Sequence, residues 1–316
     1  GSVATNGFWS ALTMATTLRL PMLFYIEDND LGISVRGDMQ TPGGNIARNL
    51  GSFSNLLVRD GDGCEPVESA ALLASLLTGS EIRESHREGD ARVQDAYALR
   101  CMPQVHGPVL EAIRFAEGVI GRELNAATDN PLVFDDGTML SGGNFHGQAV
   151  AMALDFLAIA MTNLATMAER RIDRVVHPDL NEGLPPFLAR DAGVHSGFMM
   201  AQVTAASLAS ECKVLAHPAS VDTIPTDGSK EDVVPMAMGA AWKLRRIIRN
   251  VQHILGIELM VAAQGIEYRR PLRGGQRVER AFLSVRAHVA PLTDDRVLSP
   301  DIIALADAVS RGEFVV

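Results

Sequence analysis

From about Ala70 onward, apolar residues recur every three to four positions, the spacing of one buried helix face. Val109, Leu110, Ile113, Ala116, Ile120 and Leu124 trace such a face until Asn130-Pro131 stops it. A short apolar run and the turn Asp135-Asp136-Gly137 follow, then Ser141-Gly142-Gly143-Asn144-Phe145-His146. Helices are predicted over about 148–172 and 195–216. The longest is predicted from near Ser229 to about Gln264, with Glu231 and Asp232 complementing its positive end. Pro235 is compatible only with the first turns of that helix. Two shorter helices, near 277–289 and 299–310, end the pattern. Long helices with short connections predict a mainly α bundle. The most apolar window, Ala149 to Met167, contains Asp155, Thr162 and Asn163 and reads as a bundle helix rather than a membrane span.

Residues 1 to about 75 are patterned differently. A helical stretch, Phe8 to Leu18, ends before Pro21, and the strand-like run Met22-Leu23-Phe24-Tyr25-Ile26 meets the polar turn Glu27-Asp28-Asn29-Asp30. A second apolar run, Leu56-Leu57-Val58, leads into Arg59-Asp60-Gly61-Asp62-Gly63. Alternating strand, turn and helix predict an α/β segment. Two strands are too few for an independent sheet, so the segment is incomplete. The expected division is therefore residues 1–75, incomplete α/β, and 76–316, helical. No internal repeat or low-complexity tract interrupts either part.

Composition narrows the possible partners. The formal charge of −10 argues against a general nucleic-acid binder. Arg245, Arg246 and Arg249, like Arg269, Arg270 and Arg273, read as solvated faces. The 5% aromatic share is low, and the Ala, Leu, Met and Val that dominate suit closely packed helices. Cys64, Cys101 and Cys212 show neither paired nor metal-ligand spacing, and no basic-then-apolar leader opens the sequence. A reduced, cytoplasmic setting is the expectation.

The candidate chemistry centres on Val93-Gln94-Asp95-Ala96-Tyr97-Ala98-Leu99-Arg100-Cys101. Residues three apart share a helix face, so Gln94, Tyr97 and Arg100 can point together into one cavity. Arg offers a planar fork for a carboxylate, and Tyr a proton donor or acceptor of high pKa. That set suits an amino acid substrate beside acid/base chemistry. Taken alone it equally fits an exposed helix face.

Further segments occur in a fixed order: Thr128-Asp129-Asn130-Pro131, Ser141-Gly142-Gly143-Asn144-Phe145-His146-Gly147, Lys230-Glu231-Asp232, Ala262-Ala263-Gln264-Gly265-Ile266-Glu267 and Ser299-Pro300-Asp301-Ile302. With the Gln94 segment they make residues 79–316 resemble the C-terminal half of the aromatic amino acid lyase family, in particular its histidine ammonia-lyases. The resemblance implies elimination of ammonia by methylidene-imidazolone (MIO), an electrophile that the family cyclises from its own Ala-Ser-Gly. It implies that Arg100 grips the substrate carboxylate with help from Asn130 and Asn144. Tyr97 and Gln94 would line the reacting centre, and Phe145 would pack against the prosthetic group. Glu231 falls where the histidine enzymes carry a glutamate facing imidazole, which favours histidine as substrate. Structural alternatives stay open: an ion pair for Arg100, a turn for Asn130, core packing for Phe145 and a helix-start charge for Glu231. His146 would stand beside the site as a supporting group. The family also implies a homo-oligomer, a tetramer, with a site assembled from several subunits, and no membrane.

No Ala-Ser-Gly occurs in the 316 residues. Residues 1 to about 70 resemble instead the thiamine diphosphate-binding region of the 2-oxo acid dehydrogenase E1 component. That likeness rests on Asn6-Gly7-Phe8-Trp9-Ser10-Ala11-Leu12, Leu20-Pro21-Met22-Leu23-Phe24 and Glu27-Asp28-Asn29. It implies Asn29 as a Mg²⁺ ligand, with the Leu31 carbonyl as a further contact to cofactor and metal. Only the closing half of that motif is present, so thiamine diphosphate and Mg²⁺ are not expected to bind. Asp60-Gly61-Asp62-Gly63 lies on the wrong side of Asn29 and reads as a turn. No metal is expected in the lyase-like part.

The chain thus reads as chimeric, with a junction inside the helical run Val67 to Leu77 rather than at a Pro/Gly/Ser linker. The expected function is an amino acid ammonia-lyase, histidine to urocanate plus ammonia, inactive alone without the Ala-Ser-Gly half. The alternatives are an E1 fragment and an inactive, oligomerising helical scaffold.

Overall fold

A computed structural model describes residues 31–32, 35–36, 77–85 and 94–314. The chain divides into two compact units, one of Gly1–Ser75 with Gly89–Gln94, the other of Leu76–Glu88 with Asp95–Val316. In the first, β1 (Leu31–Gly32) pairs antiparallel with β2 (Val35–Arg36), Leu31 opposite Arg36. Both strand-like runs named above, and Asn29, lie outside the described residues.

The second unit is helical. Ser80 caps the short α1 (Glu81–Glu84) by accepting from the Arg83 amide at 3.2 Å. After it come α2 (Tyr97–Arg100), α3 (Met102–Glu123), the hairpin β3 (Leu132–Val133) and β4 (Met139–Leu140), and α4 (Gln148–Val176). Next are α5 (Met199–Leu215), α6 (Ala237–Arg269), α7 (Gln276–His288) and α8 (Ser299–Ser310). The mainly α expectation is met, and the helix predicted over 299–310 matches α8 at both ends.

Partners along α4 fix the packing directions. Val109 and Ala112 of α3 cluster with Ala160, and Ala116 and Val119 with Ala153, so α3 runs antiparallel to α4. The Gln202 amide reaches Asp173 at 3.4 Å while the Thr162 hydroxyl donates to the Cys212 carbonyl at 3.3 Å, so α5 is antiparallel too. Lys243 pairs with Asp155 and Arg171 with Glu258, which makes α6 parallel to α4. Ala151, Ala153, Ala158, Ala160, Ala165 and Ala168 of α4, with Ala201, Ala205 and Ala209 of α5, are buried. Such small side chains let helix backbones approach closely, while Ile172, Ile247, Ile254, Ile257, Met260 and Leu305 fill the remaining volume. At the α6–α8 crossing, a Cβ on Gly256 would stand 3.0 Å from the Ala306 backbone nitrogen.

The α4 segment is long and apolar enough to cross a membrane by length and composition. Here it forms the centre of the bundle core, and its buried Asp155 is paired.

Three expectations need correction. The longest helix begins at Ala237 rather than near Ser229 and continues to Arg269. Pro235 biases the residue before it away from helical backbone, and Thr226 pairs with Glu231 in an antiparallel bridge, so the chain there is committed to a loop. Gln94 does not share a helix with Tyr97 and Arg100. Ala96 enters α2 extended (φ −65°, ψ 150°), and Gln94 precedes that turn. Arg270 is not part of a solvated face, because it makes a two-pronged pair with Glu279 at 3.0 and 2.9 Å.

Candidate active site

The predicted site residues fall into two groups. The first lies where α3 ends and α4 begins. Asp136 accepts from the Thr138 amide at 2.9 Å, and Gly137 (φ 81°) completes the turn between β3 and β4. This hairpin brings Gly142 back to Asn130, whose amide oxygen accepts the Gly142 N–H at 3.0 Å. A backbone N–H can bond only to the oxygen of that amide, so the NH₂ of Asn130 remains as a donor. Asn144 donates to the Ala127 carbonyl at 2.9 Å, which ties the same loop to the segment before Asn130. Phe145 is 48% exposed, so the core reading does not hold for it in this chain.

The next residue connects this loop to a second one. His146 Nε2 lies 2.8 Å from the Val233 carbonyl oxygen. A carbonyl only accepts, so His146 carries its proton on Nε2. Gln148 donates to the Ser220 carbonyl at 3.1 Å, and the Ser220 amide donates to Asp155 at 2.6 Å. The loop from Ser220 to Val233 is therefore clipped to the start of α4 at several points. Within it the Thr226 hydroxyl donates to the Glu231 carboxylate, and the Thr226 amide to the Glu231 carbonyl at 2.9 Å. Asp227, Gly228 and Ser229 cross between them with φ of 47°, 61° and 65°. Glu231 is thus an exposed carboxylate held by its loop, not a helix-start charge.

The second group is the α2 turn. Tyr97 is 68% exposed, and the Arg100 guanidinium lies 4.7 Å from its ring centroid. Arg100 Nε donates to the Asp95 carbonyl at 2.9 Å, which leaves the Nη1/Nη2 edge as the one able to clamp a carboxylate. No carboxylate pairs with Arg100 among the described residues, so the ion-pair alternative finds no support. Beneath the turn, Arg171 donates to the Ala98 carbonyl at 3.3 Å while gripping Glu258. Burial, with the Arg171 cation adding to it, holds the nearby His106 below the ordinary imidazole range, so His106 is neutral near pH 7.

These two groups do not meet in one chain. Arg100 lies two residues before α3 and Asn130 follows it, and a 22-residue helix places its ends about 33 Å apart. The antiparallel pairing of α3 with α4 confirms that Tyr97 and Arg100 sit at the far end from Asn130, Phe145 and Glu231. That separation was legible in the sequence, since a continuous helical pattern between residues 109 and 124 already requires it. Gln94 belongs to the other compact unit, and Leu31 to its β1 strand. Arg171 and Glu258 carried no local signal, because only the packing of α4 on α6 brings them together.

Comparison with known proteins gives a consistent picture. The aromatic amino acid lyase family model matches residues 64–287. Histidine ammonia-lyase of Anaeromyxobacter dehalogenans is 55% identical over 248 residues, 78% of this chain and 49% of that protein. The Koribacter versatilis histidine ammonia-lyase is 50% identical over 261 residues, 78% of this chain and 50% of that protein. Among solved structures, histidine ammonia-lyase from Trypanosoma cruzi aligns with TM-score 0.69 at 44% identity, covering 77% of this chain and 45% of that one. Phenylalanine aminomutase of Pantoea agglomerans aligns with TM-score 0.68 at 31% identity, covering 77% of this chain and 50% of that one. The chain spans about half the length of the curated relatives it matches.

Proposed function

The chain belongs to the aromatic amino acid lyase family, and from that premise we propose that it is the C-terminal helical half of a histidine ammonia-lyase, acting in the conversion of histidine to urocanate and ammonia. The proposed division falls at residues 75/76, and the proposed setting is cytoplasmic. The single observation that carries the reading is the His146–Val233 bond. It brings the Phe145 loop beside the loop bearing Glu231, as a site for an aromatic amino acid with a basic ring requires.

In this reading the Nη edge of Arg100 clamps the substrate carboxylate. Tyr97 offers an exposed phenol for proton transfer. Asn130 donates its NH₂ to the carboxylate, and Asn144 keeps the Phe145 loop in place. Glu231, oriented by Thr226, accepts from the imidazole. The family's MIO supplies the electrophile when present. The family makes it from Ala-Ser-Gly, a triplet that does not occur among these 316 residues. Because the two groups stand about 33 Å apart across α3, a working site needs a second subunit to bring one chain's α2 turn to another's Phe145 loop. We therefore place the chain in a homo-oligomer, a tetramer, with an amino acid as its small-molecule partner.

The test is reconstitution. The purified chain is incubated with L-histidine, alone and with a lyase N-terminal half carrying Ala-Ser-Gly, and urocanate is followed by its absorbance. Little or no product alone and product on complementation is the expected result. A reconstituted complex that deaminates phenylalanine or tyrosine but not histidine would reject the substrate. A stable monomer by light scattering would reject the assembled site.

A further inference from the structure

A buried fork beneath the α2 turn has a role that the binding residues themselves do not explain. Arg171 lies on α4 with its side chain 12% exposed, and Glu258 lies on α6 at 22%. Arg171 Nε donates to Glu258 Oε1, and Nη2 donates to Oε2 at 3.1 Å. The remaining arm, Nη1, reaches the Ala98 carbonyl at 3.3 Å. Ala98 is the second residue of a four-residue helix that bears Tyr97 and Arg100. So short a helix has almost no stability of its own, and nothing caps its N-terminus from Ala96. Through these bonds the guanidinium fastens the turn to the two longest of the described helices.

We propose that Arg171, aligned by Glu258, is a positioning residue that sets the pose of the α2 turn and hence the reach of Tyr97 and Arg100. The inference rests on the lyase reading for its functional consequence, but its structural part stands without it. The fork is what matters. A guanidinium can hold both carboxylate oxygens and still present a third N–H in the same plane, whereas an ammonium cannot match that geometry.

Hydrogen exchange on the full chain tests this. The Leu99 and Arg100 amides donate to the Ala96 carbonyl, at 2.9 and 3.1 Å, and the Cys101 amide to Tyr97 at 3.0 Å. In R171M these three amides are expected to exchange about tenfold faster or more. In R171K the melting temperature is expected to recover toward wild type, because a charge still faces Glu258, while exchange at the three amides stays fast. Amides in the middle of α4, from Ala158 to Thr162, serve as the internal control. Wild-type protection at the α2 amides in both variants would overturn the proposal. So would a uniform rise across α4 and α6 that tracks the melting temperature, since Arg171 would then act on stability alone. Titration with L-histidine supplies the functional arm, with affinity expected to fall about tenfold in R171K at near-native stability. If the wild-type chain takes up no histidine, the lyase reading of the isolated chain fails, while the exchange result still decides the role of Arg171.

Discussion

Replacing Asp155 with asparagine should destabilise the helical unit, and the loss should itself depend on pH. Asp155 lies inside the bundle, its side chain 4% exposed, 3.1 Å from Lys243 Nζ. Burial by itself would raise its pKa. The Ser220 amide and the Lys243 ammonium more than offset that and hold the carboxyl below the usual carboxylate range. The variant Asp155→Asn keeps an oxygen for the Ser220 amide but leaves the Lys243 cation facing an uncharged group. Removing one partner of a buried pair costs about 3–5 kcal/mol, and the 22% exposure of Lys243 lowers this to roughly 2–4 kcal/mol. Urea denaturation followed by far-UV circular dichroism reads the difference directly. The sign with pH follows from linkage. The folded pKa is depressed, so the wild-type increment is present above the unfolded value and is lost as pH falls through the folded one, below about pH 4. Wild type and variant should therefore differ at pH 7 and converge toward pH 3. A gap that persists unchanged to pH 3, or no gap at pH 7, would refute the assignment of Asp155–Lys243 as the stabilising pair.

Two other perturbations follow from the packing. A Cβ on Gly256 meets the Ala306 nitrogen at 3.0 Å and the Ile302 carbonyl at 3.2 Å, both backbone atoms. Gly256→Val should lower thermal stability by about 1–3 kcal/mol through overpacking, whereas in Gly256→Ala the better helix propensity, worth about 1 kcal/mol, opposes the contact. Equal melting temperatures for valine variant and wild type would show that α6 and α8 do not cross there. Burial pushes the Cys212 thiol up and encloses it, while Cys101 at the end of α2 is partly exposed. Iodoacetamide should modify Cys101 in the native protein and Cys212 only in urea, and mass spectrometry of the native digest would reveal the reverse order.

The helices were largely legible because each of the long ones buries an apolar stripe, and burial is what creates the period. The matches at α7 and α8 rest on it. The start of α6 was misplaced for a related reason: Glu231 and Asp232 look like first-turn charges, but the Thr226–Glu231 bridge and Pro235 together keep residues 226–236 out of the helix. Such a bridge has no periodic signature. The same holds for the His146–Val233 and Arg171–Glu258 contacts, each between residues 87 apart, which exist only once two helices are packed. The β3–β4 turn was readable from Asp135-Asp136-Gly137 because its chemistry is local. The E1-like reading rests on residues that, apart from Leu31, lie outside the described ones.

The separation of the two half-sites also bears on how the proposed oligomer must pack. Along α3 and α4, between the α2 turn and the Phe145 loop, Phe115, Met152, Phe156 and Ile159 are each more than 40% exposed. Phe115 and Phe156 meet edge-on across the helix pair, their centroids 5.7 Å apart. An apolar surface of this kind is costly to leave in water and serves association when a partner covers it. A two-fold axis through the middle of that stripe would make the contact self-complementary and would reverse the direction of the partner's helices. The α2 end of one chain would then lie beside the Asn130 and Phe145 end of the other, which closes the 33 Å gap (about one 22-residue helix) without moving either group in its own chain. A head-to-head arrangement would leave both gaps open. In the proposed enzyme such a contact would both associate the chains and complete the site, so a charge placed at Phe156 is expected to abolish assembly and, in the complex reconstituted with the Ala-Ser-Gly half, urocanate formation together.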